Sequence, residues 1–327
     1  MPGPDQAVLD FYTAPAVMTT PGRRADLFDP LPADVAALAA VGHGLLIHEH
    51  LAHEYGVALT DSERDTVHVR PVAELLEAIA TRDGRALEIA REPAHRVAGN
   101  CRHFTVLIAA MLRHQGTPAR ARCGFGNYFG NGLYEDHWVC EYWDAGQERW
   151  RLVDAQIDRR QRELFGIDFD LTDVPRDRFV IAGDAWADCR AGRADPDLYG
   201  LSTIGEAGYW WIAGNLMRDS AALRNVELLP WDVWGAMPSP GEDIEDRRQG
   251  LFDDLAALTQ APDAAFAQLG RVNEEDWLRV PPKVHNALRD RDEAVRGVVV
   301  CDSAYECRVE PRDRTRNRDL HGGGRRP

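Results

Sequence analysis

Three side chains, taken in chain order, could do chemistry together. Cys101 stands in Gly99-Asn100-Cys101-Arg102-His103-Phe104, and His137 in Tyr134-Glu135-Asp136-His137-Trp138-Val139. Asp154 closes Trp150-Arg151-Leu152-Val153-Asp154. A thiol becomes a nucleophile when its pKa is lowered, a base takes its proton and that base is held in one tautomer. The positive end of a helix serves the first need, an imidazole the second and a carboxylate the third.

The elements that must position these groups follow from apolar spacing. Asn100 reads as the N-cap of a helix beginning at Cys101. Phe104, Leu107, Ile108, Met111 and Leu112 form its apolar stripe, and Gly116-Thr117-Pro118 ends it. Residues 119–125 read as a strand, followed by the Gly/Asn-rich loop 126–132. Residues 137–143 and 148–153 read as two antiparallel strands around the turn 144–147. Pairing Asp144 with Gln147 sets His137 opposite Asp154 on one face of the sheet, and a one-residue slip would part them. Upstream, residues 32–55 read as a long helix, and Pro71 opens another with Val72, Leu75, Leu76 and Ile79 on its stripe. Downstream, residues 209–223, 248–270 and 284–299 read as helical.

Three blocks carry a resemblance. They are Gly99-Asn100-Cys101-Arg102-His103-Phe104, with its helix running into Gln115-Gly116-Thr117-Pro118-Ala119-Arg120; Glu135-Asp136-His137-Trp138-Val139-Cys140-Glu141-Tyr142; and Trp150-Arg151-Leu152-Val153-Asp154-Ala155. Over roughly residues 75–158 the chain resembles the transglutaminase-like superfamily, a fold related to the papain-like cysteine proteases, and in particular its bacterial members. The resemblance implies an α+β fold in which a nucleophile-bearing helix packs on an antiparallel sheet. It implies Cys101 as nucleophile, His137 as base and Asp154 as the orienting acid. It also implies a thioester formed at an amide or related acyl group and resolved by water or an amine, hence a cysteine-dependent amide hydrolase or acyltransferase. The oxyanion would rest on the Cys101 backbone N–H and a second donor, for which Asn100 is a candidate. Tyr128, Phe129, Trp138, Trp210 and Trp211 are candidates for the substrate cleft, and the 126–132 loop for a flap beside His137. The substrate class is a peptide, a protein or a small acyl or amide molecule. This chemistry calls for no cofactor and no metal.

Composition bounds the partners. The 327 residues are 44% hydrophobic and 28% charged, with a formal net charge of −15. Nucleic acid demands a basic face, so it is not an expected partner, and an anionic membrane is disfavoured on the same ground. No apolar run approaches a membrane span, and residues 1–6 carry no basic start of a secretory signal. The six cysteines form no CxxC pair and read as reduced thiols, which places the chain in the cytoplasm. The organisation expected is an extended segment at 1–30, a catalytic core at 31–195, a mainly helical extension at 196–307 and a disordered, Arg-rich tail at 308–327.

Competing readings attach to the same residues. Asp136 and Asp158 are rival acids. His103, two positions past Cys101, points away from the thiol on a helix and reads as structural. Cys123 and Cys140 read as core. The cluster His48-Glu49-His50-Leu51-Ala52-His53 suggests a metal-dependent hydrolase on His48, His50 and His53, although it is not HExxH. A third reading is a catalytically silent binding or scaffold module.

Overall fold

The computed structural model describes residues 3–295 and the backbone of 299–301 and 307–309. In chain order its helices are α1 (Gln6–Thr13), α2 (Val35–Leu45), α3 (Asp61–Arg64), α4 (Val72–Arg82), α5 (Cys101–His114), α6 (Arg159–Phe165), α7 (Ala182–Arg190), α8 (Tyr209–Ala222), α9 (Asp246–Gln260) and α10 (Phe266–Val272). The strands are β1 (Leu46–His48), β2 (Val97–Gly99), β3 (Ala119–Gly126), β4 (Tyr134–Asp144), β5 (Arg149–Val153), β6 (Phe179–Ile181), β7 (Tyr199–Leu201), β8 (Glu206–Ala207), β9 (Asp232–Val233), β10 (Lys283–Asn286), β11 (Arg291–Ala294), β12 (Val299–Cys301) and β13 (Cys307–Val309).

The architecture is α+β, with α5 at its centre. Every residue of α5 but His114 is buried. Its stripe of Phe104, Leu107, Ile108, Met111 and Leu112 packs with α2, α4 and the sheet residues Ala119, Cys140 and Tyr142 in one core. Such a helix is held by burial on all sides rather than by propensity. A second core gathers α7, α8 and α9 around Trp186, Ile212, Leu216 and Phe252.

The main sheet runs β6-β3-β4-β7-β8, with β5 also paired to β4. One edge of β4 is covered along its length by antiparallel β3. The other edge is shared: β7 pairs with Tyr134 and Glu135, and β5 with residues 140–144. His137 therefore falls in the gap between two edge partners.

The β4–β5 register differs from the sequence reading. Asp144 pairs with Arg149 and Cys140 with Val153, across a four-residue turn. Asp144 Oδ1 accepts the backbone N–H groups of Gly146 and Gln147, which lengthens the turn by local side-chain bonding. The slip is two residues, so every side chain keeps its face. Asp154 lies just past the last pair, and a continued ladder would set it opposite Val139, diagonal to His137.

Other expectations are corrected. Residues 1–30 are not simply extended: α1 forms there, and Tyr12 is wholly buried with its hydroxyl donating to Leu223 O at 3.0 Å. The long helix expected over 32–55 stops at Leu45, because Leu46–His48 pairs in parallel with Val97–Gly99. Gly44 permits the close approach of the segment at Ala90 and Arg91; a Cβ there would sit 2.9 Å from Ala90 Cα. Residues 284–299 hold strands, not a helix, and β9, β10 and β11 form a three-stranded sheet within the extension. The Arg-rich tail at 308–327 lies outside the described residues, except for the backbone of 308 and 309.

Gly124, opposite His137, marks a tight spot. A Cβ there would stand 2.2 Å from Val180 O and 2.8 Å from Ile181 Cα, both backbone atoms of the neighbouring strand region. No rotamer can relieve that clash. Gly124→Ala is expected to lower stability by about 1–3 kcal/mol. Gly250→Ala on α9, where a Cβ meets nothing within 4 Å, should be neutral or stabilising by up to about 1 kcal/mol. Urea midpoints of the two variants check the contrast.

Candidate active site

Cys101 is the first residue of α5, and Asn100 takes the N-cap position in extended backbone. The chain arrives through β2, whose Gly99 pairs with His48 of β1. Arg102, wholly buried, pins this first turn by donating to Arg70 O at 2.6 Å and to the Glu227 carbonyl.

His103 closes the turn from the other side. Its Nε2 lies 3.0 Å from Val69 O, a pure acceptor, so the ring proton sits on Nε2. Burial, above all, lowers the pKa of this imidazole well below the ordinary histidine value, so Nδ1 stays an acceptor. It takes the Asn100 backbone N–H at 3.2 Å. The Asn100 amide, 2.8 Å from the same nitrogen, must then turn its NH2 toward it. His103 is thus a structural group that holds the cap.

His137 and Asp154 meet: His137 Nε2 lies 2.8 Å from Asp154 Oδ2. The Cys101 thiol acts on the same imidazole from close by, and with Nε2 taken by Asp154 the ring nitrogen left for sulfur is Nδ1. All three are enclosed, with 7% of Cys101, 2% of His137 and 1% of Asp154 exposed. Burial works against charge on both partners of the imidazole–carboxylate pair. For His137 it lowers the pKa, but the Asp154 charge and hydrogen bond outweigh it and hold the ring protonated above its ordinary range. For Asp154 burial raises the pKa; the His137 charge and the bonds from His137, Tyr128 and the Gln156 backbone N–H reverse the sign.

The Asp154 carboxylate is fully engaged. Oδ1 accepts Gln156 N–H at 3.0 Å, a turn motif that Asp two residues before a free N–H permits. Oδ2 accepts both His137 and the Tyr128 hydroxyl, the latter at 2.7 Å. Tyr128 is buried against the acid, away from the open cleft in which the sequence reading had put it. Its ring stacks on Phe129 with centroids 4.8 Å apart, and both rings meet His137 edge-on, at 5.9 and 5.0 Å. The 126–132 loop thus covers the imidazole.

The remaining aromatic candidates divide. Trp138 is fully buried in one cluster with Cys101, Ala121, Cys123 and Ala222, and its indole N–H has no partner. Trp211 is half-buried at the start of α8 and donates to Asp136 Oδ2 at 2.8 Å; Trp210 packs against it with centroids 5.0 Å apart. The rival acids are otherwise committed. Asp136 takes the Trp211 bond, and Asp158 takes the Tyr55 hydroxyl at 2.8 Å while capping α6. Cys123 and Cys140 are buried in the sheet, where burial pushes both thiols up.

The histidine cluster does not converge. His48 ends β1, His50 follows in a turn and His53 lies in a short 3-10 helix, so no helical face joins them. His48 Nδ1 accepts the His50 backbone N–H at 3.3 Å, and His53, largely exposed, faces Glu54. Among the described residues, no group of three or more His, Cys, Asp or Glu side chains stands in metal-holding geometry. Sequence reasoning did not foresee that two histidines would lie near the acid. His43 and His48 lie within electrostatic reach of Asp154, both held neutral chiefly by burial, His48 down to about 3. A small cavity behind the acid is lined by His43, His48, Tyr55, Gln156 and Asp158. A larger one, about 850 Å³, lies between Arg224, Asn273, Arg279 and Val295, and none of the three central groups lines it.

A helix-borne thiol beside a strand-borne imidazole and a carboxylate, on an α+β scaffold, is a papain-like arrangement. Residues 67–155, about a quarter of the chain, match the transglutaminase-like superfamily, and the chain carries a transglutaminase-like domain. Among solved structures, a candidate cysteine protease from Cytophaga hutchinsonii is 16% identical, with a TM-score of 0.31. The match covers 54% of this chain and 46% of that one, and carries no weight for the reaction. A comparison with curated proteins finds no match. No described helix is long and apolar enough to cross a membrane.

Proposed function

We propose that the protein is a thiol enzyme acting on an amide or related acyl group, with Cys101 as nucleophile, His137 as base and Asp154 as orienting acid. The observation that carries this reading is the 2.8 Å bond from His137 Nε2 to Asp154 Oδ2, on an imidazole whose other nitrogen is left for the Cys101 thiol. The reactive form is the thiolate–imidazolium pair. Sulfur attacks the acyl carbon, His137 gives its proton to the leaving amine, and a thioester on Cys101 remains. Water or an amine, deprotonated by His137, then releases the acyl group.

The oxyanion of each tetrahedral step is held by the Cys101 backbone N–H and a second donor. Trp138 is the better second donor. Its indole N–H is buried without a partner in the cluster that holds Cys101, whereas the Asn100 amide is held against His103 Nδ1, 2.8 Å away. Trp210 and Trp211, the latter bonded to the Asp136 that precedes His137, are the proposed wall of the acyl-donor site. The proposed substrate is a peptide, protein or small acyl compound.

Iodoacetamide labelling tests the nucleophile. Cys101 is expected to be carboxamidomethylated at least about tenfold faster than Cys123, Cys140 or Cys189 near pH 7, as read by peptide mass, because burial pushes those three thiols up. Cys101→Ala should remove the fast phase. Equal rates at all four thiols would favour a silent binding module instead. Incubation with a substrate library, followed by the mass added to Cys101, would identify the acyl group.

A further inference from the structure

Tyr128 stands outside the nucleophile, base and acid, yet its hydroxyl ends on the same carboxylate oxygen that holds His137. Both donors converge on Asp154 Oδ2, at 2.7 and 2.8 Å. The Tyr128 ring is wedged among Phe129, Phe169 and His137, and Phe129 in turn meets Phe165. Phe179 approaches His137 at 6.3 Å. The imidazole–carboxylate pair is therefore walled by aromatic edges, with one hydroxyl reaching inward.

We infer that Tyr128 is a positioning residue: it fixes the rotamer of Asp154, keeps that carboxylate ionised inside an apolar wall, and with Phe129 excludes water from its bond to His137. This rests on the thiol-enzyme reading above. An ionised carboxylate in so dry a place needs donors for its lone pairs. Oδ1 has one, from Gln156, and Oδ2 has two. The groups facing Asp154 come from several elements: His137 of β4, Cys101 of α5, His43 of α2, His48 of β1 and Tyr128 of the β3–β4 loop, with Asp158 further along its own chain. Burial keeps His43 and His48 neutral. Among the described residues, no cation other than His137 is bonded to Asp154 to take over if the hydroxyl is lost, and the carboxyl must then bind protons more tightly.

The test is the pH profile of Cys101 labelling by iodoacetamide, which needs no knowledge of the substrate. Tyr128→Phe keeps the ring and removes one hydrogen bond to a charged group. Its acid limb, where Asp154 takes up a proton, is expected to move up by about one to two pH units. The plateau at neutral pH should stay within about threefold of wild type. Tyr55→Phe, which removes a hydroxyl from Asp158 rather than from Asp154, should leave the limb in place. In an Asp154→Asn background the Tyr128 substitution should add no shift, because the group it acts through is gone. An unmoved limb in folded Tyr128→Phe, or the same shift with Asp154 absent, overturns the inference and leaves the thiol-enzyme reading standing. If wild-type Cys101 labels no faster than the other thiols, that reading fails first, and this one with it.

Discussion

His137→Gln is expected to lower Cys101 labelling and the burst of nitrophenol from p-nitrophenyl acetate by about 10²–10⁴-fold at pH 7. The magnitude is that of a positioned general base. Glutamine is chosen for its shape and chemistry. Its NH2 can still donate to Asp154 Oδ2, where His137 Nε2 now lies at 2.8 Å, so the buried carboxylate keeps a partner. It has no nitrogen that can take a proton from sulfur. Alanine would leave Asp154 without that bond and confuse a chemical loss with a folding one. Labelling of His137→Gln at the wild-type rate would remove the imidazole from the mechanism.

The same pair sets a pH dependence of stability. The folded pKa of His137 is raised, so its contribution is complete below the unfolded value of about 6.5 and is lost as pH rises through the folded value. That of Asp154 is lowered, so its contribution is complete above about 3.9 and is lost as pH falls through the folded value. Urea midpoints of the wild type should decline on both sides of neutrality. His137→Gln should abolish the alkaline decline that this residue causes.

Asp219→Ala is expected to be among the most damaging single changes to stability, by about 3–5 kcal/mol. Asp219 lies on α8 and is wholly buried. Its carboxylate accepts Arg122 Nε at 3.0 Å, a second Arg122 nitrogen at 2.8 Å and the Cys123 backbone N–H at 2.8 Å. It therefore ties α8 to β3 one residue from Gly124, the partner of His137. Arg122 belongs to a buried network with Glu141 and Arg120, and Arg120 reaches Asp263. Truncating Asp219 leaves a buried guanidinium short of charge and an amide without an acceptor, and both penalties appear at once. Replacing both partners, as Arg122→Met with Asp219→Leu, should recover more than half of the loss, because no charge is then stranded. Urea unfolding of the three variants decides it, and a double variant no better than Asp219→Ala would count against this account.

Some of this was legible in the chain itself. The N-cap at Asn100, the apolar stripe from Phe104 to Leu112 and the Gly-Thr-Pro stop fix α5 by local rules, and they put Cys101 at its start. Strand alternation placed His137 and Asp154 on neighbouring strands and on one face. That survived an error of two in the register because side chains alternate with a period of two. Other features had no local signal. The stretch from Leu46 to His48 has helical spacing, yet it pairs with β2 because that partner is present fifty residues away. Tyr128 reads as a loop aromatic, and nothing in its neighbourhood says that its hydroxyl reaches Asp154, twenty-six residues on. His43 and His48 face the acid only because α2 gives way to a strand there. Sequence determined which residues could be nucleophile, base and acid, since helix starts and strand faces follow from short-range sterics and periodicity. Tertiary structure decided how the carboxylate is satisfied, what shields it and which donors remain free, since those depend on side chains that meet only when distant segments pack.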